Sequence, residues 1–256
     1  MAGSSESLES LGAPPPAEQP FGRLAPWLDP RHLEAGALQD YREAFRSHPA
    51  RLLVVSSVLR AEIAERLGEF LLSGAVFLPS FGLYSANGPV PEESWQAAED
   101  ADRFFRFTVC RDAHVQRLVE EGWQTYFGFR RLIRSSAINP FFEAVTGLRL
   151  GVPSEPNVIA MRNGDFLRRH TDLGGGRRLA FVFYLSQEWQ PSFGGALHVV
   201  GRDGQVTRIE AAPNRLVLFD VTAHQEHFVA PIEAAAGERA RLTVSGWVTD
   251  PEQEAA

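Results

Sequence analysis

His170 and Asp172 stand two positions apart in the stretch Gly164-Asp165-Phe166-Leu167-Arg168-Arg169-His170-Thr171-Asp172. In an extended segment, side chains at that spacing leave the backbone on one face. A neutral imidazole and a carboxylate on one face supply two of the three ligands of a facial Fe(II) triad. The third would be a histidine further along the chain, and His198, His224 and His227 are available. His227 heads the short run His227–Pro231 directly after the apolar run Leu216–Val221, a spacing that lets a strand fold back beside the first pair. His224 falls in the turn Thr222–Glu226 and His198 reads as an ordinary strand histidine, so His227 is favoured over His224. Alone, a His-x-Asp pair arises often by chance, and a surface strand with a polar pair explains it as well.

A second group lies nearer the C-terminus. In Arg239–Trp247 the alternation is strict: Arg239, Arg241, Thr243, Ser245 and Trp247 share one face of a strand, and Ala240, Leu242, Val244 and Val248 share the other. A buried arginine with hydroxyls beside it suits bidentate capture of a carboxylate. An edge strand pointing its arginines at water explains Arg239 well. It explains Arg241 less well, because Arg241 sits deeper in the run.

The elements that must position these residues follow from periodicity. Residues 1–19 are mostly Ser, Glu, Ala, Gly and Pro, too poor in apolar surface to offset the entropy of ordering, and read as a disordered tail. Helical spacing marks Asp29–Ser47, Ala61–Leu72 and Asp112–Gly147, with Asn139-Pro140 as a break and Gly147 as a stop. Leu52–Val55 reads as a short strand, and Gly82–Pro91 as a loop or irregular hairpin. The aromatics of 112–147 fall at core spacing, so a cofactor box is the weaker reading. After Gly151 the texture becomes short apolar or alternating runs: Asn157–Met161, Phe166–Asp172, Leu179–Ser186, Ala196–Val200, Gln205–Ala211, Leu216–Val221, His227–Pro231 and Arg241–Thr249. Gly201-Arg202-Asp203-Gly204 marks a hairpin. The expected fold is mainly β with helices (α+β), an antiparallel sandwich or jelly roll with a helical N-terminal wrap. Residues 20–250 are read as one domain, 20–150 mostly helical support and 151–250 the jelly-roll core.

Composition excludes some functions. A net charge of −7 over 256 residues argues against a general nucleic-acid or anionic-membrane binder. No apolar run reaches the ~18 residues of a membrane span, and no N-terminal apolar segment follows Met1. Cys110 is the single cysteine, so no intrachain disulfide exists, and a cytoplasmic, reducing setting is expected. Among apolar and aromatic neighbours it reads as a small core residue.

His170-x-Asp172, Gly194-Gly195-Ala196-Leu197, Asn214–Phe219, His227-x-Val229 and Arg241–Trp247 follow one another in a familiar order. Together they resemble the prolyl 4-hydroxylase-like branch of the 2-oxoglutarate/Fe(II)-dependent dioxygenases, nearest the ribosomal-protein prolyl hydroxylases. The resemblance covers about residues 155–249. It implies a double-stranded β-helix with Fe(II) held by His170, Asp172 and His227, and with 2-oxoglutarate and O2 as co-substrates. Arg241, six residues before Trp247, would grip the distal carboxylate of 2-oxoglutarate, and Tyr184 would contact the same molecule. Where the family commonly has a second tyrosine, nine residues before the first histidine, this chain has Met161. Ascorbate is the expected reductant. Members that halogenate lack the carboxylate ligand, so Asp172 favours hydroxylation of an unactivated C–H bond, in a protein prolyl residue or a small amino-acid-like molecule.

Two other classes compete. One is a non-catalytic jelly roll that binds a ligand or partner and keeps a vestigial metal site. The other is a metal-dependent cupin that uses no keto acid, which leaves Arg241 unexplained. Gly82–Pro91 and Gly174–Arg178 are the candidate lids, and Arg177 and Arg178 read as solvated charge rather than as substrate contacts.

Overall fold

A computed structural model describes residues 21–110, 121–223 and 226–253. The expected tail at 1–19, the start of the helical stretch at 112–120 and His224 fall outside the described residues. A 3-10 turn at Pro30–Leu33, capped by the Asp29 side chain, leads into helix α1 (Ala35–Ser47), strand β1 (Leu52–Ser56) and α2 (Ala61–Ser73). Next come β2 (Phe77–Leu83), β3 (Pro89–Val90), α3 (Glu92–Ala97), β4 (Arg103–Cys110), α4 (Glu121–Arg134) and α5 (Asn139–Thr146). The remaining strands are β5 (Asn157–Met161), β6 (Phe166–His170), β7 (Arg177–Tyr184), β8 (Leu197–Val200), β9 (Val206–Ile209), β10 (Arg215–Asp220), β11 (His227–Val229) and β12 (Arg241–Thr249). The strand order is β1-β10-β7-β12-β5-β4-β6-β11-β8-β9, with β2 paired to β4 and β3. This is the curled antiparallel sheet of a double-stranded β-helix, with helices on its outer face.

Alternation explains how one sheet serves two cores. Along β7, Leu179, Phe181 and Phe183 face the helices, while Ala180, Val182 and Tyr184 face the interior of the curl. In β10, Leu216 and Leu218 join the first group, and Val217 and Phe219 the second. β12 repeats the pattern, with Leu242, Val244 and Val248 against the helices. Phe129 of α4 meets Phe183 edge-on at 5.1 Å, and Phe142 of α5 lies 5.7 Å from Phe181. Each such buried ring contributes roughly 2–3 kcal/mol. Trp123 and Phe127 pack partly buried against the same cluster, which makes the aromatics of this stretch core. Cys110 is buried. No helix of the described residues is long and apolar enough to cross a membrane.

Two strands in the N-terminal half differ from the expectation of helical support. β2 and β4 pair along their whole length from Phe77↔Cys110 to Leu83↔Arg103, and β4 continues the sheet to β5 and β6. Pro79 and Gly82 lie inside β2, and consecutive residues of β4 are half-buried on both faces, so neither run alternates in sequence. Gly82 sits where an added Cβ would strike the Phe105 ring at 2.2 Å, so the glycine admits the ring against the strand. Gly82–Pro91 is the expected irregular hairpin, with Phe81↔Val90 and Gly82↔Pro89 paired.

Candidate active site

The interior of the curl is a cavity of about 680 Å³ into which His170, Asp172, His227, Tyr184 and Arg241 all project. His170 closes β6 and His227 opens β11, and the two residues are direct partners across the antiparallel pair. The next pair is Val229↔Leu167, so Arg168 and Arg169 together oppose Phe228 as a β-bulge. A bulge re-aims the side chains that follow it, and here Leu167 and His170 both line the cavity although they are an odd number of residues apart. The bulge also supplies a carbonyl: His170 Nδ1 lies 2.9 Å from Arg168 O. A carbonyl can only accept, so Nδ1 carries a proton, and in the neutral ring it is Nε2, facing Asp172, that has the lone pair a metal would take.

Asp172 lies two residues beyond His170, past the end of β6, and both side chains line the cavity, as the spacing of two predicts. His170 Nε2 is 3.6 Å from Asp172 Oδ1, and His227 Nε2 is 3.3 Å from Oδ2. One ligand atom from each of the three residues lies within 4.8 Å of the others. Burial alone would raise the Asp172 pKa, but hydrogen bonds and charge from His170 and His227 hold its carboxyl well below the usual carboxylate range. Two imidazole nitrogens and an ionised carboxylate converging in a buried pocket are a donor set that fits a divalent cation. Phe104 meets His170 edge-on at 5.2 Å and Phe219 lies 5.0 Å from His227, which walls the cluster with apolar surface.

The other end of the cavity is built on β12, β5 and β7. Arg241 is the register partner of Met161, and Tyr184 pairs with Thr243. Arg241 is 3% exposed. Its Nη1 donates to Met161 Sδ at 3.4 Å, and its Nη2 to the Tyr184 hydroxyl at 3.3 Å. Nε is buried without a hydrogen-bond partner, and no ion pair of the described residues includes this guanidinium. Burial raises the Tyr184 pKa, with Arg241 opposing, so the phenol stays a neutral donor. A buried cation held only by a thioether and a phenol is unstable without an anion. The arrangement fits a ligand carboxylate.

Of the other histidines, His198 points away from the cavity. It stacks on Phe228 at 4.5 Å with ring planes 2° apart, and its partner on β9 is Arg208. Arg177 differs from its reading as solvated charge. Its Nη1 is 3.8 Å from Asp172 Oδ1, and its guanidinium lies 3.8 Å from the centre of the Trp247 ring at the cavity wall. A register shift where β7 meets Val248 and Thr249 turns Arg177 inward. Nothing in the local sequence signals that shift. Arg178 turns outward, toward Asp220 and Asp250.

A double-stranded β-helix with a two-histidine, one-carboxylate cluster at one end of its cavity and a buried arginine at the other is a scaffold fitted to a metal ion and a ligand carboxylate. Residues 157–249 match the family model of the 2OG-Fe(II) oxygenase superfamily. The chain is 31% identical over 139 residues to prolyl 3-hydroxylase sudestada1 of Drosophila melanogaster, covering 50% of this chain and 25% of that protein. It is 40% identical over 89 residues to prolyl 3-hydroxylase OGFOD1 of Xenopus laevis, covering 32% of this chain and 17% of that protein. The chain thus spans a quarter or less of the length of these relatives. Among solved structures, a prolyl hydroxylase from Trichoplax adhaerens, in complex with a hypoxia inducible factor oxygen degradation domain peptide fragment, superimposes with a TM-score of 0.58. That likeness holds at 17% identity over 87% of this chain and 96% of the other, and it shows the shared fold.

Proposed function

We propose that this protein is an Fe(II)- and 2-oxoglutarate-dependent hydroxylase that acts on a ring carbon of a prolyl residue in a polypeptide. The carrying observation is that one cavity holds the converging nitrogens and carboxylate of His170, His227 and Asp172 and, across from them, the uncompensated guanidinium of Arg241. In this reading His170, Asp172 and His227 hold Fe(II). Bound iron supplies the redox chemistry that couples decarboxylation of 2-oxoglutarate, giving succinate and CO2, to hydroxylation of the substrate by O2.

The chain's own residues bind, orient and keep the site dry. The Arg168 carbonyl fixes the tautomer of His170, which leaves Nε2 available as a ligand. Arg241 and Tyr184 take the distal carboxylate of 2-oxoglutarate, with the guanidinium gaining the anion that burial demands. Phe104 and Phe219 exclude water from the two imidazoles. A polypeptide substrate is supported by the names of the two relatives, both prolyl 3-hydroxylases, and by the peptide in the structural neighbour. A vestigial site is disfavoured because Asp172, both histidines and Arg241 all occupy the one cavity. The lone, buried Cys110 suits a reducing compartment such as the cytoplasm.

The test is succinate formation from 2-oxoglutarate by purified protein with Fe(II), ascorbate and a proline-containing peptide pool. Asp172→Ala is expected to lose both turnover and Fe(II) affinity, while the wild type makes succinate and binds 2-oxoglutarate only with metal present. Wild-type protein that fails to bind 2-oxoglutarate in the presence of metal would sink the hydroxylase reading.

A further inference from the structure

The guanidinium of Arg241 is held by weak partners, so something else must fix where it stands. A thioether is a poor acceptor, the bond to Tyr184 is long at 3.3 Å, and Nε has no partner. The shaft of the arginine rests instead on Gly195. This residue adopts φ +71°, and its amide donates to Pro231 O at 3.2 Å. A Cβ at that position would lie 2.5 Å from Ile232 Cδ1, 2.8 Å from Arg241 Cδ and 3.5 Å from Arg241 Nε. The preceding Gly194, at φ +72°, is equally closed: its Cβ would stand 2.3 Å from Pro231 O. Two left-handed glycines in a row thus press the loop before β8 against the base of the arginine, closer than any other residue type allows.

We infer that Gly195 is a positioning residue for the co-substrate arginine: its bare Cα sets the depth of Arg241 in the cavity, and with it the affinity for the distal carboxylate of 2-oxoglutarate. The inference rests on the proposed role of Arg241. An added methyl must displace the Cδ of Arg241 or the tip of Ile232. If the arginine yields, its fork moves relative to Tyr184, and a charge-assisted hydrogen bond loses strength with small errors in placement. The three atoms nearest a Cβ at 195 belong to Ile232 and Arg241 and none to His170, Asp172 or His227, so the first displacement falls on the arginine and not on the metal cluster.

The strain of placing alanine at positive φ must be separated from the displacement of Arg241. Gly204 provides the control, because it adopts φ +76° with nothing within 4 Å of an added Cβ. The conflict with Ile232 is separated by Ile232→Val, which deletes Cδ1 and leaves the contact with Arg241 in place. We would load full-length wild type, Gly195→Ala, Gly204→Ala, Gly195→Ala/Ile232→Val and Arg241→Met with Mn(II) under anaerobic conditions and titrate 2-oxoglutarate calorimetrically. Mn(II) affinity would be measured alongside.

Gly195→Ala is expected to weaken 2-oxoglutarate about tenfold, with Mn(II) affinity unchanged and, in turnover, KM for 2-oxoglutarate raised while kcat is kept. Gly204→Ala changes neither affinity. The double variant regains thermal stability but still binds 2-oxoglutarate weakly, and it serves as the test protein if Gly195→Ala alone does not fold. Wild-type affinity in Gly195→Ala, restored affinity in the double variant, or parallel loss of Mn(II) and 2-oxoglutarate would each overturn the inference. Arg241→Met that keeps wild-type affinity would instead remove the role of Arg241 on which the inference stands.

Discussion

Two of the three histidines that compete for the third ligand position separate by what each ring touches. His227 turns Nε2 to Asp172 inside the cavity, whereas His198 lies flat on Phe228 across the same strand pair and faces outward. His227→Ala is therefore expected to lower Co(II) affinity by roughly 100-fold or more, followed by absorption spectroscopy, and His198→Ala to leave it unchanged. Equal losses in the two variants would move the third ligand elsewhere. At this scale the sequence was readable wherever spacing along the chain carries the information. His227 follows from its place after Leu216–Val221, and Arg241 from its depth in the alternating run that ends at Trp247. The association of Asp172 with His170 was reached through their spacing of two, and both side chains enter the one cavity although β6 ends at His170. Arg177 was not readable at all, because the register shift that turns it inward depends on how β7 meets β12.

Secondary-structure elements were legible in proportion to their regularity. The eight runs after Gly151 correspond to β5–β12 with ends shifted by a residue or two, since each has one face on a core and shows it. β2 and β4 were missed because proline, glycine and two-sided burial erase alternation. In the N-terminal part, one buried histidine ties several elements together. His32 lies in the turn before α1, with Nδ1 2.7 Å from the Tyr41 hydroxyl and Nε2 2.9 Å from Ser57 O at the end of β1. Burial lowers its pKa below the ordinary 6.5, with the Ser57 carbonyl opposing. The unfolded chain therefore takes up the proton first as pH falls. Stability from this group is present above the ordinary value and is lost below it. Thermal melting is expected to fall between about pH 7.5 and about pH 5.5, with a shallower dependence in His32→Gln. An identical slope in the variant would show that other groups carry the acid sensitivity.

At the scale of the molecule, one curled sheet separates a large core shared with the helices from a smaller interior one, and the cavity opens from the second. The general architecture was legible because strands punctuated by turns leave few alternatives. The closure of the curl was not, since pairings such as β4 with β5 and β6 join segments roughly fifty to sixty residues apart. That closure is thin at β6 and β11, where His227↔His170 and Val229↔Leu167 are the matched pairs and a bulge lies between them. On the proposed ligand set, two metal donors belong to one side of this seam and one to the other. The bound ion then acts as a non-covalent cross-link, stapling the sheet across a seam with few matched residues. Occupancy and folding become one linked equilibrium. Removing metal with a chelator should lower the melting temperature, and added Mn(II) should raise it with the logarithm of its concentration. Asp172→Ala should show neither response, so that for this protein metal supply would govern persistence of the fold as well as chemistry.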